Sequence, residues 1–232
     1  MPAGDGKKMM QIEWNSIVGA LKKWHNNLQK TGTKDPSVTT VAERYKNDPW
    51  AVLVSTILSL RTKDEVTLKC SHTLLAKAPT PQQLFALEEA AIAKLAYPAG
   101  FYRTKAANLK KIAGILLDKY KGKVPSDLDI LLTLPGVGRK TANLVLIEAY
   151  DLDGICVDVH VHRICNRAGF LTSKNPEETE MILRQILPKK HWKTINPLLV
   201  LYGQNVCRPV SPFCSRCVIA EHCKQIGVDK SR

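Results

Sequence analysis

Apolar residues recur along most of the chain with the spacing of one helix face, and the breaks between these stretches carry helix-start signals. Asp48 precedes Pro49 and an apolar run from Trp50, an N-cap followed by proline at the first helical position. Thr80-Pro81-Gln82-Gln83 and Asn175-Pro176-Glu177-Glu178 resemble capping boxes, with an amide or carboxylate three residues after the cap. Beyond the second, Ile182, Leu183 and Ile186 share one face and Pro188 ends the segment. Leu109, Ile112, Ala113, Leu116 and Tyr120 form another stripe, with Lys110, Lys111 and Lys119 off it. These patterns predict an all-α protein without repeats, and no Pro/Gly/Ser linker divides it. One segment dissents: Ile155, Val157, Val159 and Val161 alternate with Asp158, His160 and His162, the period of a half-buried strand.

Charge sharpens the picture. The 34 Lys and Arg against 21 Asp and Glu give a formal net charge of +13 over 232 residues, which excludes an acidic tail and points to a polyanionic partner. With 44% of residues apolar, a folded core in one domain or two is expected. The longest nearly unbroken apolar run, Ala51 to Leu60, falls far short of the ~20 residues of a membrane span. Met1 to Met10 has no apolar stretch after its lysines, so no secretory signal is expected and an intracellular protein is. Eight Lys or Arg and a single acid, Asp118, lie between Lys94 and Lys123. A solvated helix face is the ordinary reading of such a run; a stripe that tracks phosphates is the functional one.

Four of the seven cysteines, Cys207, Cys214, Cys217 and Cys223, are spaced C-x6-C-x2-C-x5-C. Disulfides are disfavoured without a secretory signal. Four thiolates suit zinc or an iron–sulfur cluster, and spacing alone does not choose between them; the cluster is preferred. Arg208 and Arg216 add positive charge there, which suits a structural, DNA-facing role. Cys70, Cys156 and Cys165 stand alone and read as small buried hydrophobes.

The segment Leu134-Pro135-Gly136-Val137-Gly138-Arg139-Lys140-Thr141-Ala142 lies between two apolar helical stretches. Two glycines in so tight a connection permit positive φ and close backbone approach, and the following helix starts with free N–H groups. That makes an anion site fit for a DNA phosphate, while the Walker and G-x-G-x-x-G spacings of nucleotide sites are absent.

Here the sequence resembles the endonuclease III family of helix-hairpin-helix DNA glycosylases. The family hairpin L-P-G-V-G-x-K-T-A stands in full at Leu134 to Ala142, V-D-x-H-V/I-x-R at Val157 to Arg163, and the four-cysteine signature at the C-terminus. The resemblance implies that Lys140 is the nucleophile and Asp158 its acidic partner, and sets the chain apart from mismatch adenine glycosylases, which would lack a lysine at 140. Val159 departs from the Thr of many members. The resemblance further implies a 4Fe–4S cluster on the four cysteines, and DNA contacts from Leu134, Gly136, Val137, Gly138, Arg139 and Thr141. Two segments resemble the family's wedge loops, Ile57 to Asp64 and Ala99 to Ala106, which puts Arg61, Phe101 and Tyr102 against the duplex. Arg61 replaces a usual Gln, and arginine prefers guanine as a partner; Phe101 takes the position of an apolar wedge.

Physical chemistry agrees with these roles. An amine attacks carbon only when neutral; the first turn of a helix and the adjacent Arg139 both disfavour a charge on Lys140. Asp158 is able to take its proton and to cap a helix, which favours a helical Val159 to Ala168 over the strand pattern; His160 and His162 are read as packing or hydrogen-bonding residues. By resemblance, a helical-barrel domain spans 40–151 and a discontinuous domain, 1–39 plus 152–232, carries the cluster. The expected activity is removal of oxidised or ring-saturated pyrimidines from double-stranded DNA, with lyase cleavage at abasic sites, by a monomer with no membrane partner. A glycosylase using water and a non-catalytic DNA-binding module remain the alternatives.

Overall fold

The computed structural model describes residues 12–33 and 35–232, so the reading of Met1 to Met10 lies outside the described residues. Twelve α-helices and no strand occur among them: α1 Trp14–Gln29, α2 Ser37–Arg44, α3 Pro49–Ser59, α4 Asp64–Lys77, α5 Pro81–Ala86, α6 Glu89–Ala96, α7 Tyr102–Tyr120, α8 Leu128–Leu132, α9 Arg139–Tyr150, α10 Val159–Ala168, α11 Pro176–Ile186 and α12 Trp192–Asn205. The all-α expectation therefore stands.

Local chemistry sets the helix starts. The Asp48 carboxylate accepts the Ala51 N–H at 2.8 Å, with Pro49 as the first residue of α3. Thr80 and Asn175 accept the N–H groups of Gln83 and Glu178 in the same way. The reciprocal halves of the boxes differ from the ideal: Glu178 Oε2 takes the amide of Lys174, one residue before the cap.

The buried apolar side chains form two clusters. The first surrounds α3, in which every residue from Trp50 to Leu58 is buried, and takes Leu109, Ile112 and Leu116 from the predicted stripe of α7. The second joins Trp14, Ile17 and Leu21 of α1 to Val161 and Ile164 of α10, Leu183 of α11 and Leu199 and Tyr202 of α12. The chain passes from one to the other through the extended stretch before α10, where Cys156 enters the first cluster while Ile155 and Val157 enter the second. This accounts for the alternation at Ile155 and Val157 only. Val159, in the first turn of α10, is 65% exposed, and the helical period runs through Val161, Ile164, Cys165 and Ala168, all buried.

Candidate active site

Between α8 and α9 the chain turns on Gly136, whose φ of +77° lies in the left-handed region. A Cβ there would sit 2.4 Å from Asn108 Nδ2, which the end of that side chain can relieve by turning, so it is the left-handed backbone that favours glycine. Gly138 is different: its φ is −99° and a Cβ would meet nothing within 4 Å. What glycine does there is leave open the space before α9, whose first-turn N–H groups have no side-chain cap. Leu134, Val137 and Thr141 bury their side chains in or beside the first core, so the hairpin offers its surroundings backbone rather than those side chains.

Lys140 is the second residue of α9, with its side chain 38% exposed, and its Nζ lies 3.8 Å from Asp158 Oδ2. The other Asp158 oxygen is committed: Oδ1 accepts the N–H groups of His160 and Val161 at 2.9 and 3.0 Å, capping α10. The two residues stand on a cleft of about 200 Å³ that sequence reasoning did not outline, with Ser37, Thr39, Asp64 and Asn196 among its walls. These come from α2, α4 and α12, and no local pattern marks them. Asn196 is 6% exposed and its Nδ2 has no hydrogen-bond partner among the described residues. Three larger hollows, of about 510, 390 and 390 Å³, lie away from Lys140 and Asp158.

His160 also lines the cleft, and its Nδ1 is 3.1 Å from Arg163 Nη2. Burial holds its pKa below the ordinary value against the opposing pull of Asp158, so the ring is neutral at pH 7. His162 bonds Thr179 Oγ1 at 2.7 Å. Behind Lys140, burial pushes the Cys156 thiol up to about 12, which leaves it an inert packing group.

Arg139, expected among the DNA contacts and as the charged neighbour of Lys140, turns its guanidinium to Glu180 of α11. Its Nε and Nη2 donate to the two carboxylate oxygens at 2.9 and 2.7 Å. Arg184 and Asn143 donate to the same carboxylate. The Arg139 charge that was expected to act on Lys140 is therefore matched by Glu180.

Residues 54–189 match the model of the HhH-GPD superfamily of base excision DNA repair proteins. Endonuclease III of Thermotoga maritima is 44% identical over 179 residues, 77% of this chain and 84% of that one. The chain belongs to the endonuclease III family. As such it is a base-excision repair DNA glycosylase of the HhH-GPD type. It is also 47% identical over 183 residues to the chloroplastic endonuclease III homolog 1 of Arabidopsis thaliana, of whose length it spans 48%. The structure of a trapped endonuclease III–DNA covalent intermediate, an estranged-adenine complex, superposes with a TM-score of 0.73 at 35% identity, over 77% of this chain and 84% of that one.

In this member of the endonuclease III family, the two loops singled out from sequence lie together. The Arg61 guanidinium stands 5.6 Å from the centre of the Phe101 ring, and Phe101 is 62% exposed. Both residues have left-handed backbone, at φ +51° and +56°. Tyr102 meets Tyr97 edge-on and lies under Arg103. The basic run of α7 is not one solvated face, because Lys105 points inward and is 5% exposed.

Cys207, Cys214, Cys217 and Cys223 all line one small cavity, together with Arg167 and Phe213. No disulfide joins them. The hydroxyl of Tyr202 donates to Cys217 Sγ at 3.2 Å and Arg167 Nη1 to Cys207 Sγ at 3.4 Å, so donors already face two sulfurs. Among the described residues no three His, Cys, Asp or Glu side chains are grouped as ligands of a single metal ion. Arg208, Arg216 and Arg232 stack around the Phe213 ring at 5.2, 4.2 and 4.2 Å and give this loop its positive surface.

Proposed function

We propose that the protein removes oxidised or ring-saturated pyrimidines from double-stranded DNA and cleaves the resulting abasic strand, with Lys140 as nucleophile and Asp158 as its acidic partner. The observation that carries this reading is the approach of Lys140 Nζ to the one Asp158 oxygen that capping leaves free. Neutral Nζ adds to the sugar C1′ and the base leaves with the electron pair of the glycosidic bond. Ring opening gives a Schiff base, and loss of a C2′ proton then breaks the C3′–O bond to the 3′ phosphate. Asp158 Oδ2 takes the proton lost from the amine and offsets positive charge on the sugar. A lysine held near a buried carboxylate and open to solvent supports the lyase reading over attack by water.

The open amides of α9 and the backbone around Gly136 and Gly138 suit a DNA phosphate. A base inside a duplex is out of reach, so the nucleotide must be flipped out; Arg61 and Phe101, exposed and stacked together, suit the space it vacates. Four thiols around one cavity, two already facing donors, suit a 4Fe–4S cluster held by Cys207, Cys214, Cys217 and Cys223. Such a cluster fixes the loops of the positive segment. The two buried clusters support a boundary between a 40–151 barrel and a discontinuous second domain.

Borohydride trapping on a duplex with one dihydrouracil or thymine glycol tests the reading. A covalent adduct is expected with the wild type, none with Lys140→Ala, and a much reduced yield with Asp158→Asn. Base release without any adduct would make water the nucleophile. Binding without release or adduct would leave a DNA-binding module.

A further inference from the structure

Lys105 is a buried cation with no ion pair among the described residues. It sits in the first turn of α7, and an ammonium has three N–H donors. Each finds an acceptor: Leu58 O at 2.8 Å, Leu60 O at 2.6 Å and Thr62 Oγ1 at 2.9 Å. All three acceptors lie at the end of α3 or in the turn that follows, so one side chain closes the orphan carbonyls of α3 and reaches across to the next loop. Thr62 Oγ1 completes the link by accepting the Gly100 N–H at 3.1 Å. The loops also touch through backbone, since a Cβ on Gly100 would lie 2.4 Å from Arg61 O.

This knot lies directly beneath the stacked pair. Arg61 falls between the acceptors Leu60 and Thr62, and Phe101 follows Gly100. Capping α3 alone needs no lysine from another helix, and burying an ammonium is costly. Its titratable neighbour from α4 is Cys70, whose thiol burial pushes up, and no carboxylate meets it. A methionine would fill the same space without a charge. What the ammonium adds is a three-bonded anchor for one loop on the helix that carries the other, beside the Thr62–Gly100 bond, the Gly100–Arg61 backbone contact and the Arg61–Phe101 stack.

We propose that Lys105 is a positioning residue that locks the loops at 58–62 and 99–101 into one wedge, holding Arg61 and Phe101 at a fixed spacing so that both enter the duplex together. It rests on the reading of Arg61 and Phe101 as wedge residues given above. Lys105 itself touches no DNA. Its loss leaves both wedge side chains present and lets the loops move apart, and a misplacement of ~1 Å is enough to cost about a hundredfold in rate.

A duplex with a tetrahydrofuran abasic analogue opposite 2-aminopurine reports the wedge by fluorescence, which rises as the opposite base is unstacked. The rise is measured at saturating protein for the wild type, Phe101→Ala, Lys105→Met and Thr62→Val, each checked for folding by circular dichroism. The same variants are assayed for dihydrouracil release from a paired duplex and from one with the lesion opposite a one-nucleotide gap. Lys105→Met is expected to lose most of the fluorescence rise and to slow release about tenfold or more on the paired duplex relative to the gapped one. Thr62→Val, which removes the acceptor shared by Lys105 and Gly100, is expected to follow it, and carries the test if Lys105→Met does not fold. If Phe101→Ala lowers the rise while the folded Lys105 or Thr62 variant keeps it, the wedge stands and the positioning role is overturned. If Phe101→Ala leaves the rise unchanged, the wedge reading itself fails and this proposal falls with it.

Discussion

Replacing Glu180 by alanine removes the carboxylate on which three side chains converge. Burial alone would disfavour its ionised form, but hydrogen bonds from Arg139 and Arg184 outweigh that and hold its pKa below the ordinary value. Glu180 is 2% exposed, so its loss leaves two guanidiniums facing a void. Breaking a buried pair from one side costs ~3–5 kcal/mol. The Arg139 and Arg184 side chains are 26% and 25% exposed and can turn partly to water, so the lower end, ~3 kcal/mol, is expected. At this chain length that is a fall in Tm of about 6–12 °C. Because the folded carboxyl has a lowered pKa, its contribution is complete above the unfolded value and fades as pH falls through the folded one. Denaturant unfolding of wild type and Glu180→Ala at pH 7 and under progressively acidic conditions checks both statements. A loss under ~1 kcal/mol at pH 7, or a difference that does not shrink in acid, refutes the assignment. The effect should also reach chemistry, since Arg139 is the first residue of α9 and Lys140 the second. Borohydride trapping about tenfold slower is expected, and unchanged trapping in a clearly destabilised variant would show that the network holds the fold without aligning the lysine.

The two hairpin glycines should separate stability from binding. Gly136→Ala forces a Cβ into a left-handed position against Asn108 and should cost ~1–2 kcal/mol in denaturant unfolding; Gly138→Ala should unfold like the wild type yet bind duplex more weakly in a titration, and equal binding would discard the open-amide site. Lys105 should stabilise the protein with rising pH: burial lowers its pKa from 10.5 to about 8 against the pull of Cys70, a penalty of up to ~3 kcal/mol that is present below pH 8 and relieved toward pH 10.5. Relative to Lys105→Met, the wild type should therefore gain stability across that window while its 2-aminopurine signal declines, and a flat difference would refute the buried charge. The purified protein should be yellow-brown with visible absorbance that bleaches on cluster loss; a colourless protein with stoichiometric zinc would overturn the iron assignment and leave the lysine chemistry intact.

What was legible in the sequence is what short-range rules govern. Asp48, Thr80 and Asn175 cap their helices because a cap and its target amide are three residues apart. Asp158 and Val159 to Ala168 follow the same logic. The four cysteines were readable as a group because all lie within one short terminal segment. Long-range pairing was not readable. Arg139 meets Glu180 across 41 positions, and nothing near Arg139 signals that its charge is already matched. Lys105 sits in a run of basic residues and has the composition of a surface, yet the helix turns it toward the carbonyls of Leu58 and Leu60, more than 40 positions back. Of the strand-like alternation from Ile155 to Val161, only Ile155 and Val157 lie in an extended connector, between two cores, while Val159 opens α10 and is exposed.

Asp158 joins these levels. One carboxylate oxygen takes two amides of α10 and serves the fold; the other faces Lys140 and, in the proposed mechanism, serves the chemistry. An alanine would remove both functions and lose ~1 kcal/mol as a missing cap. An asparagine keeps an oxygen for the two amides but presents an N–H₂ group to an ammonium or amine. That group neither accepts a proton nor offsets positive charge on the sugar. The helix N-terminus therefore does more than orient a side chain. By occupying Oδ1 it fixes the carboxylate plane, and so determines which oxygen, at what distance, remains for Lys140.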